Sequence, residues 1–102
     1  MRDLLCKAIQ TKRVVEFFYK GGTRVVEPYC YGIHKDSDNY VLCAYQLSGY
    51  SESGGLPDWR LFIVPKISSF KITNTEFLGS RDDYVANDSR MSRIICNIPQ
   101  NI

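Results

Sequence analysis

The run Val14 to Lys20 (Val-Val-Glu-Phe-Phe-Tyr-Lys) is β-branched and aromatic, and Gly21-Gly22 follows it directly. Such side chains fit a pleated strand better than a helix, where branching at Cβ costs χ1 freedom against the preceding turn. A glycine pair reaches the positive φ angles of a tight hairpin without steric cost. Thr23 to Ile33 then reads as a second strand, so the rest of the chain must be built around a β-hairpin. Pro28 has no N–H for a ladder bond, which predicts a bend there or an edge position.

The remaining segments are read against that hairpin. Leu4, Leu5, Ala8 and Ile9 recur at helical spacing with Lys7, Gln10 and Lys12 between them, predicting a short amphipathic helix from Asp3 to Thr11. Asp3 is expected to cap its first turn. After the polar turn 35–39, Tyr40 to Leu47 is a third strand, apolar on both faces and therefore expected to be covered on both sides. Ser48 to Asp58 is the clearest loop, with three of the seven glycines. Trp59 to Val64 is a fourth strand stopped by Pro65. A short turn at 66–69 and a fifth strand from Phe70 to Thr73 follow. Thr75 to Arg90 is polar and irregular, and Met91 to Ile98 is a last β-like run before Pro99. One helix and five or six short strands predict a mostly β chain closed into a small barrel.

A length of 102 residues suits one domain, since domains usually run to about 100–150 residues. No stretch approaches the ~18 apolar residues of a membrane span. Lys7 arrives too early for the apolar middle of a signal peptide, so the expected compartment is the cytoplasm. The net charge of +2 conceals a segregation. Residues 1–35 hold seven Lys/Arg against three Asp/Glu, and residues 60–81 hold four against one. Between them, residues 36–59 hold four acids and no base. A basic surface therefore requires folding residues 1–35 against 60–81. The pI of 8.4 falls short of the value of about 9 or more seen in dedicated nucleic-acid binders, so weak polyanion binding is permitted and not demanded.

Cys6, Cys30, Cys43 and Cys96 form no Cys-x-x-Cys pair, and His34 is the only histidine, so the close-spaced half-sites of structural zinc are missing. Cys30 and His34 are near in sequence, but apolar flanks around the other cysteines favour small buried hydrophobes in a reducing compartment. Neither Gly21-Gly22 nor Gly54-Gly55 carries the Lys-Ser/Thr of a phosphate loop. No pair of carboxylates stands in a catalytic context. The expectation is a non-enzyme without cofactor or metal. What remains is a binding inventory of seven tyrosines and Trp59 beside Arg24, Arg60, Lys66 and Lys71. Aromatic faces stack on bases while arginine pairs with phosphate. The plainer reading makes at least half of the tyrosines amphipathic core residues. For Arg60 it is pairing with an acid such as Asp58 or Glu27.

The order of segments resembles the WYL domain family across residues 4–77, leaving 78–102 as a C-terminal extension with a final strand. The matching segments are Lys7-Ala8-Ile9, then Lys12-Arg13 and the strand to Tyr19, then Arg24-Val25-Val26-Glu27-Pro28. Asn39-Tyr40-Val41-Leu42-Cys43-Ala44-Tyr45 stands at the name-giving positions, and Trp59-Arg60-Leu61-Phe62-Ile63-Val64-Pro65-Lys66-Ile67 ends the match. The resemblance implies a single domain over 1–102: a small Sm/SH3-like five- to six-stranded β-barrel behind a short N-terminal helix. It implies a ligand-sensing regulatory module of bacterial type for an anionic ligand, either single-stranded DNA or RNA or a nucleotide. The implied binding residues are Arg24, Tyr40, Tyr45, Arg60 and Lys66. The chain departs from the pattern at Tyr40-Val41-Leu42, where only Leu42 is identical, at Ile63, where a second arginine is usual, and at Pro65, where an aspartate is. A module this short would act through a homo-oligomer or a separate effector protein. The alternative is an interaction or assembly module that uses its strand edges and no small ligand.

Overall fold

The structure, a computed structural model, describes residues 1–99. Helix α1 (Arg2–Gln10) is followed by β1 (Arg13–Tyr19), β2 (Gly22–His34), β3 (Tyr40–Gly49) and β4 (Asp58–Ile63). A 3-10 turn at Val64–Lys66 leads into β5 (Ser68–Glu76), and β6 (Met91–Asn97) comes last. All strand pairings are antiparallel, in the order β4-β3-β2-β1-β5, with β6 paired to β2 outside that path. The mostly β expectation with a short N-terminal helix therefore holds. The sheet is not closed, because β4 and β5 end the path without pairing to each other.

The hairpin turn is Lys20-Gly21, one residue earlier than expected: both have positive φ (39° and 98°), and Tyr19 pairs with Gly22. Positive φ at both central residues matches the right-handed twist of the flanking strands. Gly22 has a different task inside β2. A Cβ there would lie 2.3 Å from the Tyr50 Cβ, so its bare backbone lets Tyr50 close over the hairpin.

β2 is the longest strand and lies at the centre of the sheet. Its first half pairs with β1 and its second half with β6, while β3 accompanies it along the other side. The changeover falls at Pro28, between the Val26↔Val15 pair and the Cys30↔Asn97 pair, with Tyr29 an extra residue against β3. Proline is tolerated in the middle of the sheet because it stands at a bulge where one partner strand ends and another begins. The expected bend is present; an edge position is not.

Val15, Phe17 and Tyr19 alternate into the core, where Phe17 and Tyr19 each meet Phe62 of β4 edge-on at 5.0 Å between ring centres. The Ile63 N–H donates to the Tyr19 hydroxyl at 3.0 Å, so β4 curls back over β1. α1 covers this core with Leu5, Ala8 and Ile9, all fully buried, while Leu4 faces solvent. The helix begins earlier than expected, with Met1 as its N-cap and no side-chain cap; Asp3 lies inside the first turn, where its charge meets only the helix dipole. The doubly covered reading of β3 holds for Val41 to Ala44, all buried. No helix is long and apolar enough to cross a membrane among the described residues.

The cysteine expectation needs a correction. Cys6 of α1 and Cys96 of β6 form a disulfide across a sequence separation of 90, and only Cys30 and Cys43 are free and buried. Local spacing carries no trace of this pair, because it arises from the helix packing beside the last strand. Disulfides persist in oxidising compartments and are rare in the cytosol.

Candidate anion-binding site

Arg24 follows the start of β2, opposite Phe17 of β1 and Gly49 of β3. It is 5% exposed and stands in no ion pair among the described residues. Its Nε and Nη2 donate to the Tyr19 carbonyl at 3.1 and 2.8 Å, and Nη2 also reaches the Lys20 carbonyl at 3.1 Å. The guanidinium thus closes the hairpin turn with two backbone carbonyls. Its carbon lies 5.4, 5.1 and 5.9 Å from the ring centres of Tyr19, Tyr50 and Phe62, the distances of cation–π contacts. A buried cation without a counter-charge is costly, and here it is offset only by carbonyls and ring faces. Nη1 has no hydrogen-bond partner among the described residues.

Arg60 comes from β4, opposite Ala44. Its Nη1 donates to Asp58 Oδ2 at 3.0 Å and to the Trp59 carbonyl at 3.1 Å. Its Nη2 reaches the Gly54 carbonyl at 2.8 Å and the Ser51 and Ser53 hydroxyls at 3.4 and 3.5 Å. The plainer expectation for Arg60, pairing with Asp58, is therefore met, and the residue also clips the 50–55 loop to the sheet. The Trp59 N–H, followed by the Arg60 guanidinium, holds the Asp58 carboxyl below its ordinary range. Arg24 and Arg60 share a surface cavity of about 280 Å³ with Lys20, whose ammonium sits 5.6 Å from the Tyr19 ring centre. Ser51, Glu52 and Ser53 form its loop-side wall.

The other three residues implied by the resemblance lie elsewhere. Lys66 is exposed on the 3-10 turn and does not line this cavity. Tyr40 opens β3 beside Tyr31, nine residues before the Gly49 that faces Arg24, or about 30 Å along the strand. Tyr45 points into a separate cavity of about 560 Å³, where the Arg81 guanidinium lies 3.7 Å above its ring. Two residues that the sequence reading did not single out for a site, Lys20 and Tyr50, join Arg24 instead. Lys20 was legible as the residue entering the hairpin turn. Tyr50 belonged to the aromatic inventory, but nothing in the sequence tied it to Arg24, because the bare backbone of Gly22 is what brings it there.

Two further polar groupings lie away from that groove, toward the 77–90 connection. Arg81 donates to both carboxylate oxygens of Glu27, at 2.8 and 3.2 Å, and Glu27 is nearly buried. That bidentate pair raises the Arg81 pKa, and burial together with Glu27 raises that of Tyr29. Beyond it, Cys30 and Cys43 lie beneath Tyr84 and Arg90; burial pushes the two thiols up to about 11 and about 12. Tyr84 is raised for the same reason, with its hydroxyl on Asn97, and Arg90 is held by Asp88. His34 is remote from Cys30, four residues on along β2, or about 13 Å, and accepts from the Asp36 N–H.

Compared with known proteins, the chain matches no family model, no curated protein and no solved structure.

Proposed function

We propose that the chain is a ligand-sensing binding module of WYL type for an anionic ligand, single-stranded nucleic acid or a nucleotide. The observation that carries the reading is Arg24: a buried guanidinium that among the described residues meets no carboxylate and has one terminal nitrogen without a hydrogen-bond partner, on a groove shared with Lys20 and Arg60. Tyr50, 44% exposed beside it, offers a ring face on which a base can stack. The helix before β1, the 3-10 turn between β4 and β5 and the Tyr19–Ile63 hydrogen bond support an Sm/SH3-like barrel left open between β4 and β5. A regulatory role through a homo-oligomer or a separate effector belongs to the same reading. In a reducing cytoplasm the module would carry Cys6 and Cys96 as thiols.

The test is fluorescence anisotropy with a labelled oligo-thymidylate and with nucleotides, at salt from ~50 mM upward. Binding is expected to weaken with salt, and Lys20→Ala is expected to lower the slope of log K against log salt by about 0.7, one phosphate's worth for a single strand. Arg60→Ala weakens binding further by freeing the loop. Absence of binding by wild type at ~50 mM salt ends the nucleic-acid reading.

A second reading is favoured by one observation: β4 and β5 each leave an edge unpaired at the ends of the sheet. Such edges template pairing with another chain. A strict monomer by light scattering counts against self-assembly through them.

A further inference from the structure

Cys30 and Cys43 are directly opposite in the β2–β3 register, so their side chains leave the sheet on the same face. They are 1% and 5% exposed and remain thiols, although the chain's other two cysteines are joined. The residues above them are polar. The Tyr84 hydroxyl lies against Cys30 and the Arg90 guanidinium against Cys43. A cavity of about 430 Å³ under the 83–90 connection has Cys43 in its wall, which brings solvent up to the Cys43 side of the pair. Structural cysteines need none of this; two apolar neighbours would serve as well.

We propose that Cys30 and Cys43 form a two-coordinate site for a soft monovalent metal ion, Cu(I) or Ag(I). Soft thiolates select such ions over the harder divalent metals. Two metal–sulfur bonds of about 2.3 Å in a line need sulfurs about 4.6 Å apart, a separation that side chains leaving the same face from Cβ atoms roughly 4.5–5.5 Å apart reach by rotation about χ1. Among the described residues no group of three or more His, Cys, Asp or Glu is placed to hold a metal ion, so the tetrahedral set of structural zinc is not offered. Binding replaces both thiol protons: one metal cation and two thiols give a bis-thiolate of charge −1 and two released protons, with no change of oxidation state. Arg90 beside Cys43 meets that charge as a positioning residue, without touching the metal.

The test uses the full chain with Cys6–Cys96 oxidised, titrated with Ag(I) nitrate and, without oxygen, with Cu(I) acetonitrile complex. One ion per chain and an ultraviolet thiolate charge-transfer band are expected. Cys30→Ala and Cys43→Ala are each expected to weaken binding at least about 100-fold, Arg90→Ala about 10-fold, and the Cys6→Ala/Cys96→Ala pair not at all. X-ray absorption on the wild-type complex is expected to show two sulfur neighbours, a readout that no variant's folding can disturb. The proposal is overturned by no binding, by binding retained in both single variants, by equal affinity for Zn(II), or by any other sulfur count.

Discussion

Opening the Cys6–Cys96 bond removes a constraint that closes almost the whole chain. The two residues are 90 apart, with α1 at one end of the loop and β6 at the other. In the chain-entropy account, closing a loop of that length lowers the entropy of the unfolded chain by about 15 cal/mol/K, or about 4–5 kcal/mol at 25 °C. The folded state contributes little to the difference, because α1 keeps Leu5, Ala8 and Ile9 in the core and β6 keeps its ladder with β2 whether or not the sulfurs are joined. A domain of this size has about 5–15 kcal/mol to lose, so reduction is expected to remove a large share of it. The melting temperature should fall by about 20 °C or more, at about 4–8 °C per kcal/mol. The assay is urea and thermal unfolding followed by circular dichroism on oxidised protein, on protein held in excess dithiothreitol and on the Cys6→Ala/Cys96→Ala variant. The reduced and variant proteins should agree with each other, which separates loss of the constraint from loss of packing. A difference below about 1 kcal/mol between oxidised and reduced protein would refute the reasoning, as would alkylation of Cys6 in folded protein that has met no reductant.

Removing the cation from the nearly buried Glu27, as Arg81→Ala, is expected to cost about 1–3 kcal/mol, less than a fully buried pair because Arg81 is partly exposed; equal urea midpoints for variant and wild type would contradict this. Gly49 has φ +96° and a Cβ there would lie 2.3 Å from the Thr23 carbonyl oxygen. Gly49→Ala must therefore shift backbone at the Arg24 groove, with an expected loss of about 2 kcal/mol or more by the same measurement. Burial raises the folded pKa of Cys30 to about 11 and of Cys43 to about 12, above their unfolded value of about 9. A group raised on folding contributes stability that is complete below its unfolded pKa, so stability should decline from about pH 9 through about 12, and less so in Cys43→Ala. Unfolding followed against pH checks the slope.

The hairpin, the β3 run and the order of elements were legible because each rests on neighbours in sequence: β-branched runs, a glycine turn, a proline stop. Helix and strand ends moved by a few residues, since the ends are set by partners. β5 extends from Ser68 to Glu76, well beyond the expected 70–73, because β1 supplies pairing for Arg13 as well as for Val15 and Phe18. The closed barrel was an inference from strand number, and strand number does not specify whether the first and last members of a path meet. Cys6–Cys96 and the placing of Pro28 mid-sheet were beyond reach for the same reason: both depend on β6 returning along β2, a contact between residues 57 to 67 positions apart.

The charge pattern shows how far a site can be read from one dimension. The two basic blocks do meet, through Lys20 and Arg24 from the first and Arg60 from the second. Composition could not show how each charge is spent. Arg60 is answered by Asp58 and its donors hold the loop, both from the acidic block, and Arg81 is answered by Glu27. Lys66 is exposed away from the groove. The groove's cations without an ion pair among the described residues are therefore Lys20 and Arg24, next to each other because a two-residue turn folds one strand onto the next. A ligand that fits this arrangement carries one or two negative charges at the turn and a planar group within reach of Tyr50, while Glu52 on the loop disfavours a longer run of phosphates. In the proposed reading that limits the length of strand: a mononucleotide or the end of a single strand would meet every contact available, and added phosphates beyond it should bring little further affinity.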